Sequence, residues 1–199
     1  TFSASFAAML SRMQEPNESS STPSRPSPWR RRARSWAINI AILFAAFLAA
    51  HLWQTRNMAS GQAPEVQFER AVTAGNSQTL TQWRQQHAGE PVVLYFWATW
   101  CPICKLEQGS VDALVQKYPV LPIAMQSGPA STVAAYEQKS GLRWNSAMDP
   151  QGDIARTFGV NSTPSFIILA PDGTISSRTV GLTSNWGLQL RLLWARIAG

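Results

Sequence analysis

The chain has 199 residues, of which 45% are hydrophobic and only 14% are charged, so it can form one folded domain with a well-packed core. Its formal net charge of +6 is concentrated at the N-terminus, because residues 1–35 contain six arginines and two glutamates. Residues 36–199 carry eleven Lys or Arg against nine Asp or Glu and show no basic stripe, which argues against a nucleic-acid-binding surface.

The sequence of residues 1–54 predicts a disordered tail followed by a membrane anchor. Residues 1–35 are rich in Ser, Pro and Arg without apolar periodicity, which predicts a disordered basic tail. The uncharged run WAINIAILFAAFLAAHLW follows at residues 36–53, and at ~1.5 Å per helical residue it reaches about 27 Å, close to a bilayer's hydrocarbon thickness. Tryptophans bracket the run, and arginines precede it, which favours a cytoplasmic N-terminus.

We therefore predict a transmembrane anchor over residues 36–54 in the inner membrane, with the remainder of the chain on the periplasmic side. A cleaved signal peptide, with small residues at Ala49 and Ala50, is one alternative, and a buried soluble helix is another. A polar linker at residues 55–64 leads into the folded domain, which is predicted to occupy residues 65–199.

The domain reads as alternating helices and strands, which predicts an α/β fold with a mixed sheet flanked by helices. Helices are expected at residues 80–89, 103–118, 129–141, 152–160 and 183–199, and strands at residues 91–98, 120–126, 144–149, 165–170 and 174–181. The helical side chains expected in the core are Leu106, Val111, Leu114, Val115, Leu188, Leu192, Leu193 and Ile197. Ser131 or Thr132 is expected to cap the helix at 129–141.

The only two cysteines, Cys101 and Cys104, lie in the segment FWATWCPICK, where the strand at 91–98 gives way to a helix. Reaction sites of open α/β sheets collect at such carboxyl ends of strands. Unpaired backbone N–H groups and the helix dipole there favour thiolate over thiol, with Cys101 as the exposed first sulfur and Pro102 suited to the first turn. The two-residue spacing lets a disulfide form and break, which indicates a redox couple.

The two cysteines have two alternative uses, a permanent crosslink and a metal site. A permanent crosslink would close too short a loop to stabilise the fold strongly. A metal site needs about four ligands, and only His51 and His87 could add imidazoles, although two thiolates could hold copper(I) alone.

The segment VVLYFWATWCPICK (92–105), together with Thr163-Pro164, resembles the active-site segment and the cis-proline of the thioredoxin superfamily. The anchor and the extra segment 127–160 are similar to the TlpA-like envelope group. The strings YFWATWCPICKLEQGSV, AMQSG and VGLTSNWGLQLRLLW are similar to the D proteins of the suppressor-of-copper-sensitivity system. The resemblance covers about residues 61–199 and implies a thioredoxin-like domain. The substrate-binding residues that it implies are Trp100, Pro102, Ile103, Thr163 and Pro164.

Three departures from the thioredoxin pattern stand out. Tyr95 occupies the position of the buried aspartate that accepts a proton from the second thiol, and Glu107 is the candidate substitute, with a solvated helix carboxylate as the alternative. Gly109 replaces the proline that usually kinks the helix, and Pro-Ile replaces Gly-Pro between the cysteines.

These features predict a membrane-anchored periplasmic thiol-disulfide oxidoreductase that reduces protein disulfides without a cofactor. Cys101 would attack the substrate disulfide and Cys104, with Glu107, would resolve the mixed disulfide. The resemblance, and not the spacing, implies the reducing direction and a transmembrane electron-donor protein as partner. An oxidant that introduces disulfides and a copper(I)-binding envelope module are the alternative functions.

Overall fold

The computed structural model describes residues 28–198 except Ala74, and the described residues fall into two units that divide between Ala45 and Ala46. Helix α1 (Pro28–Thr55) contains a segment, Ser35–Thr55, that is long and apolar enough to cross a membrane. Its side chains are exposed except those of His51, which is partly buried, and Thr55, which is buried. The helix begins earlier than predicted, so residues 28–35 are helical and not disordered. Arg and Ala have high helix propensity, and proline is tolerated in the first turn, so the apolar helix extends backwards through them. Residues 1–27 of the predicted tail lie outside the described residues.

The second unit contains a five-stranded mixed sheet with the order β5-β4-β3-β6-β7 and a separate two-stranded ribbon, β1-β2. Its strands are β1 (Gln67–Phe68), β2 (Gln78–Thr79), β3 (Val92–Trp97), β4 (Val120–Met125), β5 (Ala147–Asp149), β6 (Ser165–Leu169) and β7 (Ile175–Val180). Its helices are α2 (Leu80–Gln85), α3 (Pro102–Val115), α4 (Ala130–Lys139), α5 (Asp153–Thr157) and α6 (Asn185–Ala198). Strands β3, β4 and β5 are parallel, whereas β6 and β7 run antiparallel to their neighbours.

Strand β3 is buried on both faces, which explains its continuous apolar sequence. Val93, Tyr95 and Trp97 pack into one core layer with side chains from α3, α4 and α6. The alternate side chains of the strand pack into a second layer with α2 and α5. The predicted architecture, a mixed sheet with helices on both faces, is confirmed.

Three of the predicted helical core positions are wrong. Leu106, Leu193 and Ile197 are exposed, whereas the predicted core residues Val111, Leu114, Leu188 and Leu192 are buried and Val115 is partly buried. On α3 the inward row is Cys104, Glu107, Val111 and Leu114, spaced by three or four residues. Leu106 lies about 100° around the helix from Glu107 and therefore faces outwards.

The predicted cap of α4 is also wrong, because the helix begins at Ala130, two residues earlier than a Ser131 cap requires and three earlier than a Thr132 cap requires. Pro129 is the N-cap and makes no side-chain hydrogen bond to the helix. Its fixed φ of −70° sets the extended conformation of a cap residue, so the helix starts without a side-chain oxygen acceptor.

Candidate active site

The two cysteines form a disulfide at the start of α3, where the sequence places them. Cys101 is the N-cap residue of the helix, its Sγ accepts the backbone N–H of Cys104 at 3.0 Å, and Pro102 occupies the first turn. The Cα atoms of the pair are 5.3 Å apart. The helix dipole and the N–H donor both stabilise negative charge on the Cys101 sulfur once the disulfide is reduced.

The prediction that Cys101 is exposed is wrong for this disulfide form. Cys101 is only 3% exposed and Cys104 is completely buried. Both sulfurs are bonded to each other, and both cysteines belong to the same buried core layer. A substrate that approaches the disulfide therefore contacts the exposed side chains around the two cysteines first.

Thr163 and Pro164 lie at the same edge of the sheet as the cysteines. The bond between them is cis, as the resemblance implied. In the antiparallel pairing of β3 with β6, Phe96 lies opposite Ser165, so the start of β6 is next to the end of β3. Pro164 is buried and Thr163 is partly exposed.

Three predicted substrate-binding residues are exposed beside the disulfide. Trp100, Pro102 and Ile103 all have exposed side chains, and Trp100 is 57% exposed. Leu106, one turn further along α3, adds to the apolar surface. Large exposed side chains this close to a buried disulfide provide a surface on which an apolar peptide segment can lie.

The loop after β4 makes hydrogen bonds to the segment before Cys101, and no role was predicted for its residues individually. Trp100 donates its indole N–H to the carbonyl oxygen of Gln126 at 2.9 Å. The backbone N–H of Thr99 donates to Ser127 Oγ at 3.1 Å. Gln126 has a φ of +48°, a left-handed conformation that is uncommon outside glycine. The AMQSG string that supported the family resemblance was the only sequence signal for this loop.

Glu107 is a buried carboxyl group, not a solvated one. It lies one helical turn after Cys104, is 3% exposed, and accepts the backbone N–H of Thr183 through Oε1. Oε2 has no hydrogen-bond partner among the described residues. Burial raises the pKa of Glu107 to about 7, against the opposing effect of the Thr183 N–H.

Tyr95 belongs to the same buried polar region. Its ring stacks on Phe166 with centroids 4.7 Å apart, and its hydroxyl has no hydrogen-bond partner within the described part of the chain. Burial raises the pKa of Tyr95, and the negative charge of Glu107 raises it further. The phenol is therefore neutral at all physiological pH values, so Glu107, and not Tyr95, can exchange a proton near the cysteines at neutral pH.

A metal site needs several acidic, histidine or cysteine side chains close together. Within residues 28–198 excluding Ala74, no three of them lie close enough together to hold a metal ion. The chemistry that the described geometry offers is therefore a thiol pair with a nearby buried carboxyl group.

Comparison with known proteins places this geometry in a family. Residues 60–178 match the AhpC/TSA family. A thioredoxin-like protein of Haemophilus influenzae is 35% identical over 111 residues, which make up 55% of this chain and 66% of that protein, just under two thirds of its length. The thiol:disulfide interchange protein DsbE of Escherichia coli is 26% identical over 174 residues, 78% of this chain and 91% of DsbE.

A solved structure shows the same fold. The secreted thiol-disulfide isomerase of Corynebacterium glutamicum superposes with a TM-score of 0.60 at 17% identity, covering 68% of this chain and 86% of that protein. The predicted thioredoxin-like fold is confirmed by this likeness.

Proposed function

The chain belongs to the AhpC/TSA family, and from this premise we propose that it is a membrane-anchored thiol:disulfide oxidoreductase that reduces protein disulfides in the periplasm. The predicted enzyme class, protein disulfide oxidoreductase, agrees with the names of the DsbE relative and of the Corynebacterium isomerase. The observation that carries the proposal is the Cys101–Cys104 disulfide at the N-terminus of α3, with Glu107 buried one turn away.

The reaction begins from the reduced chain. The Cys101 thiolate attacks one sulfur of a substrate disulfide, whose S–S bond breaks as the other substrate sulfur leaves and takes up a proton. The Cys104 thiolate then attacks Cys101 in the mixed disulfide and releases the second substrate thiol. Two electrons pass to the substrate, and the chain is left with the Cys101–Cys104 disulfide found here.

Glu107 is the proposed acceptor for the proton of the Cys104 thiol. It lies one turn from Cys104 on the same inward row of α3, and a group with a pKa of about 7 is suited to proton transfer at neutral pH. The contact with the Thr183 N–H fixes the position of the carboxyl group. Trp100, Pro102, Ile103, Thr163 and Pro164 are the proposed contact surface for the substrate chain.

The anchor and the direction of electron flow complete the proposal. The segment Ser35–Thr55 would span the inner membrane with its arginine-rich side in the cytoplasm. A chain that reduces periplasmic substrates needs electrons, and a transmembrane donor protein is the proposed source. The same thiol couple operating in reverse would introduce disulfides instead, and this is the second candidate function.

Substitution of each cysteine tests the order of attack. Cys101→Ser is expected to abolish the reduction of insulin disulfides, because no nucleophile remains to attack the substrate. Cys104→Ser is expected to accumulate mixed disulfides with substrate proteins, seen as DTT-sensitive bands on non-reducing gels. Catalysis by the Cys101→Ser chain, or trapping by Cys101→Ser and not by Cys104→Ser, would contradict these roles.

The redox potential tests the direction. The full chain in detergent is equilibrated with a series of glutathione ratios, and tryptophan fluorescence reports the oxidised fraction. A potential at or below roughly −200 mV supports a reductase that needs an electron donor. A potential near about −120 mV, where strong oxidants lie, would favour the disulfide-forming function.

A further inference from the structure

The C-terminal helix α6 is apolar on the side that faces away from the domain. Leu188, Leu192 and Ala195 are buried in the core layer that it shares with α3. On the opposite side lies a row of apolar side chains that are 55–77% exposed, which we call the outer stripe: Trp186, Leu190, Leu193, Trp194 and Ile197. Their spacing of three and four residues places them on one face of the helix.

The outer stripe is too large to be incidental. Isolated exposed apolar side chains are common, but contiguous patches beyond a few hundred Å² mark interaction sites, and one tryptophan alone contributes on the order of 200 Å². The fold does not require these residues to be apolar, because the core face of α6 is complete without them. The outer stripe is therefore expected to meet an apolar partner.

The charge around the outer stripe favours an anionic partner. Residues 173–198 contain three arginines and no acidic residue. Arg196 is exposed beside the outer stripe, and together with Lys117 and Glu90 it lines a groove along this side of α6. Arg191 is occupied by a hydrogen bond to Ser177 Oγ, so Arg196 and Lys117 are the cations placed to meet phosphate groups.

We propose that the outer stripe of α6 docks the folded domain onto the surface of an anionic lipid bilayer. Tryptophan and leucine on one face with arginine at its edge is the composition of helices that lie in a membrane interface. The candidate anchor supports this occupant, because a span at Ser35–Thr55 would keep the domain next to lipid at high effective concentration.

A second copy of the chain fits the outer stripe less well. Two helices packed against each other touch along a single line of side chains. The outer stripe is wider than one line, because it includes both Leu193 and Trp194, so a partner helix would leave part of it uncovered. A stable dimer buries ~800 Å² on each partner, which this contact would not reach by itself. Pairing α6 with itself would also bring arginines together without an acidic residue on either helix. A bilayer covers the whole face and supplies the anions.

The test uses the full chain in nanodiscs made of brominated phosphatidylcholine and phosphatidylglycerol, with tryptophan fluorescence as the readout. Trp186 and Trp194 are two of nine tryptophans. If they lie in the interface, bromine quenches them strongly, so the Trp186→Phe/Trp194→Phe chain shows a smaller quenched fraction than the native chain. If they lie in water they contribute unquenched emission, and the quenched fraction rises on their removal, which would overturn the proposal.

A matched pair of charged variants provides the control. Leu190→Glu/Leu193→Glu puts carboxylates into the outer stripe and is expected to remove the quenching that Trp186 and Trp194 contribute. Gln189→Glu puts one carboxylate on the flank of the same helix, outside the outer stripe, and is expected to retain most of the quenching of Trp186 and Trp194. Equal quenching in both would overturn the proposal, as would a chain that is dimeric through α6 and shows no quenching of its tryptophans. Insulin reduction by each variant checks folding independently, so failure of docking is distinguishable from failure of the redox function.

Discussion

At the level of single residues, Glu107 connects burial with chemistry most directly. It shares the inward row of α3 with Cys104, and its carboxyl group has few compensating contacts there, so the uncharged form is favoured until about pH 7. Tyr95 cannot replace it, because its own pKa is raised far above neutrality by burial and by the charge of Glu107.

Glu107→Gln is therefore expected to slow insulin reduction on the order of 10²-fold above pH 7 and to remove a rate step near pH 7. The amide oxygen can still accept the Thr183 N–H, so the local structure is retained while the proton acceptor is lost. The measurement is the pH profile of the rate. Glu137→Gln is the matched control, because Glu137 is also buried with a raised pKa but belongs to α4 and bonds to Ser146. If the rate of Glu107→Gln still changes near pH 7, the proton acceptor is a different group.

The same carboxyl group makes stability depend on pH. The pKa of Glu107 is about 7 in the folded disulfide form and 4.5 as the ordinary value, so the folded state binds the proton more tightly. Stability from this group is fully present below about pH 4.5 and is lost as pH rises through 7, by about 3 kcal/mol at most. Between pH 5 and pH 8 the urea midpoint of the native chain should therefore fall relative to that of Glu107→Gln. A constant difference would contradict the raised pKa.

At the level of elements, the segment that follows α1 packs closely against the residues at the end of α5. Gly159 has a φ of +67°, and a Cβ there would clash with the backbone carbonyl of Asn57. The N–H of Ala59 donates to the carbonyl of the neighbouring Phe158 at 2.9 Å, so the two backbones cannot separate easily. The linker predicted at 55–64 is thus partly packed against the domain.

Gly159→Ala is expected to destabilise the fold by about 1–3 kcal/mol more than Gly181→Ala. Gly181 also has a positive φ, of +88°, but a Cβ there meets no atom within 4 Å, so this control carries the conformational strain without the clash. The free energy of unfolding from urea titration of the two variants provides the measurement. Equal destabilisation would show that Asn57 does not pack on Gly159.

At the level of the whole molecule, the candidate span Ser35–Thr55 would determine on which side of a membrane the thiols act. The arginines before the span favour a cytoplasmic N-terminus, so the domain after the span is expected in the periplasm. A reporter that is active only in the periplasm should therefore be active when fused after Gly199, and a reporter that is active only in the cytoplasm should be inactive there. Alkaline phosphatase and green fluorescent protein fusions form the matched pair. Fluorescence without phosphatase activity would reverse the orientation and exclude a periplasmic function.

Much of the fold follows from local pattern. The buried strand, predicted at 91–98, the cysteine pair at the start of a helix and the order of the five sheet strands were predicted, because a continuous apolar run and a Cys-Pro-Ile-Cys segment have few alternative structures. The ribbon β1-β2 was not predicted. Within the domain, predicted and observed boundaries of these elements differ by up to four residues, since hydrogen bonding in the last turns depends on the surroundings. The assignment to the suppressor-of-copper-sensitivity group stays a prediction.

The sequence by itself determined that two thiols lie at the N-terminus of a helix after a central strand, because covalent spacing and strand length suffice for that. Only the tertiary structure decided which apolar residues are buried, since Leu106, Leu193 and Ile197 have helical spacing but lie outside the face that packs on the sheet. It also decided the protonation of Glu107, because burial in the packed domain raises its pKa to about 7 against the opposing effect of the N–H of Thr183, a residue distant in sequence. Burial is a property of the packed chain, and it depends on contacts that local sequence does not specify.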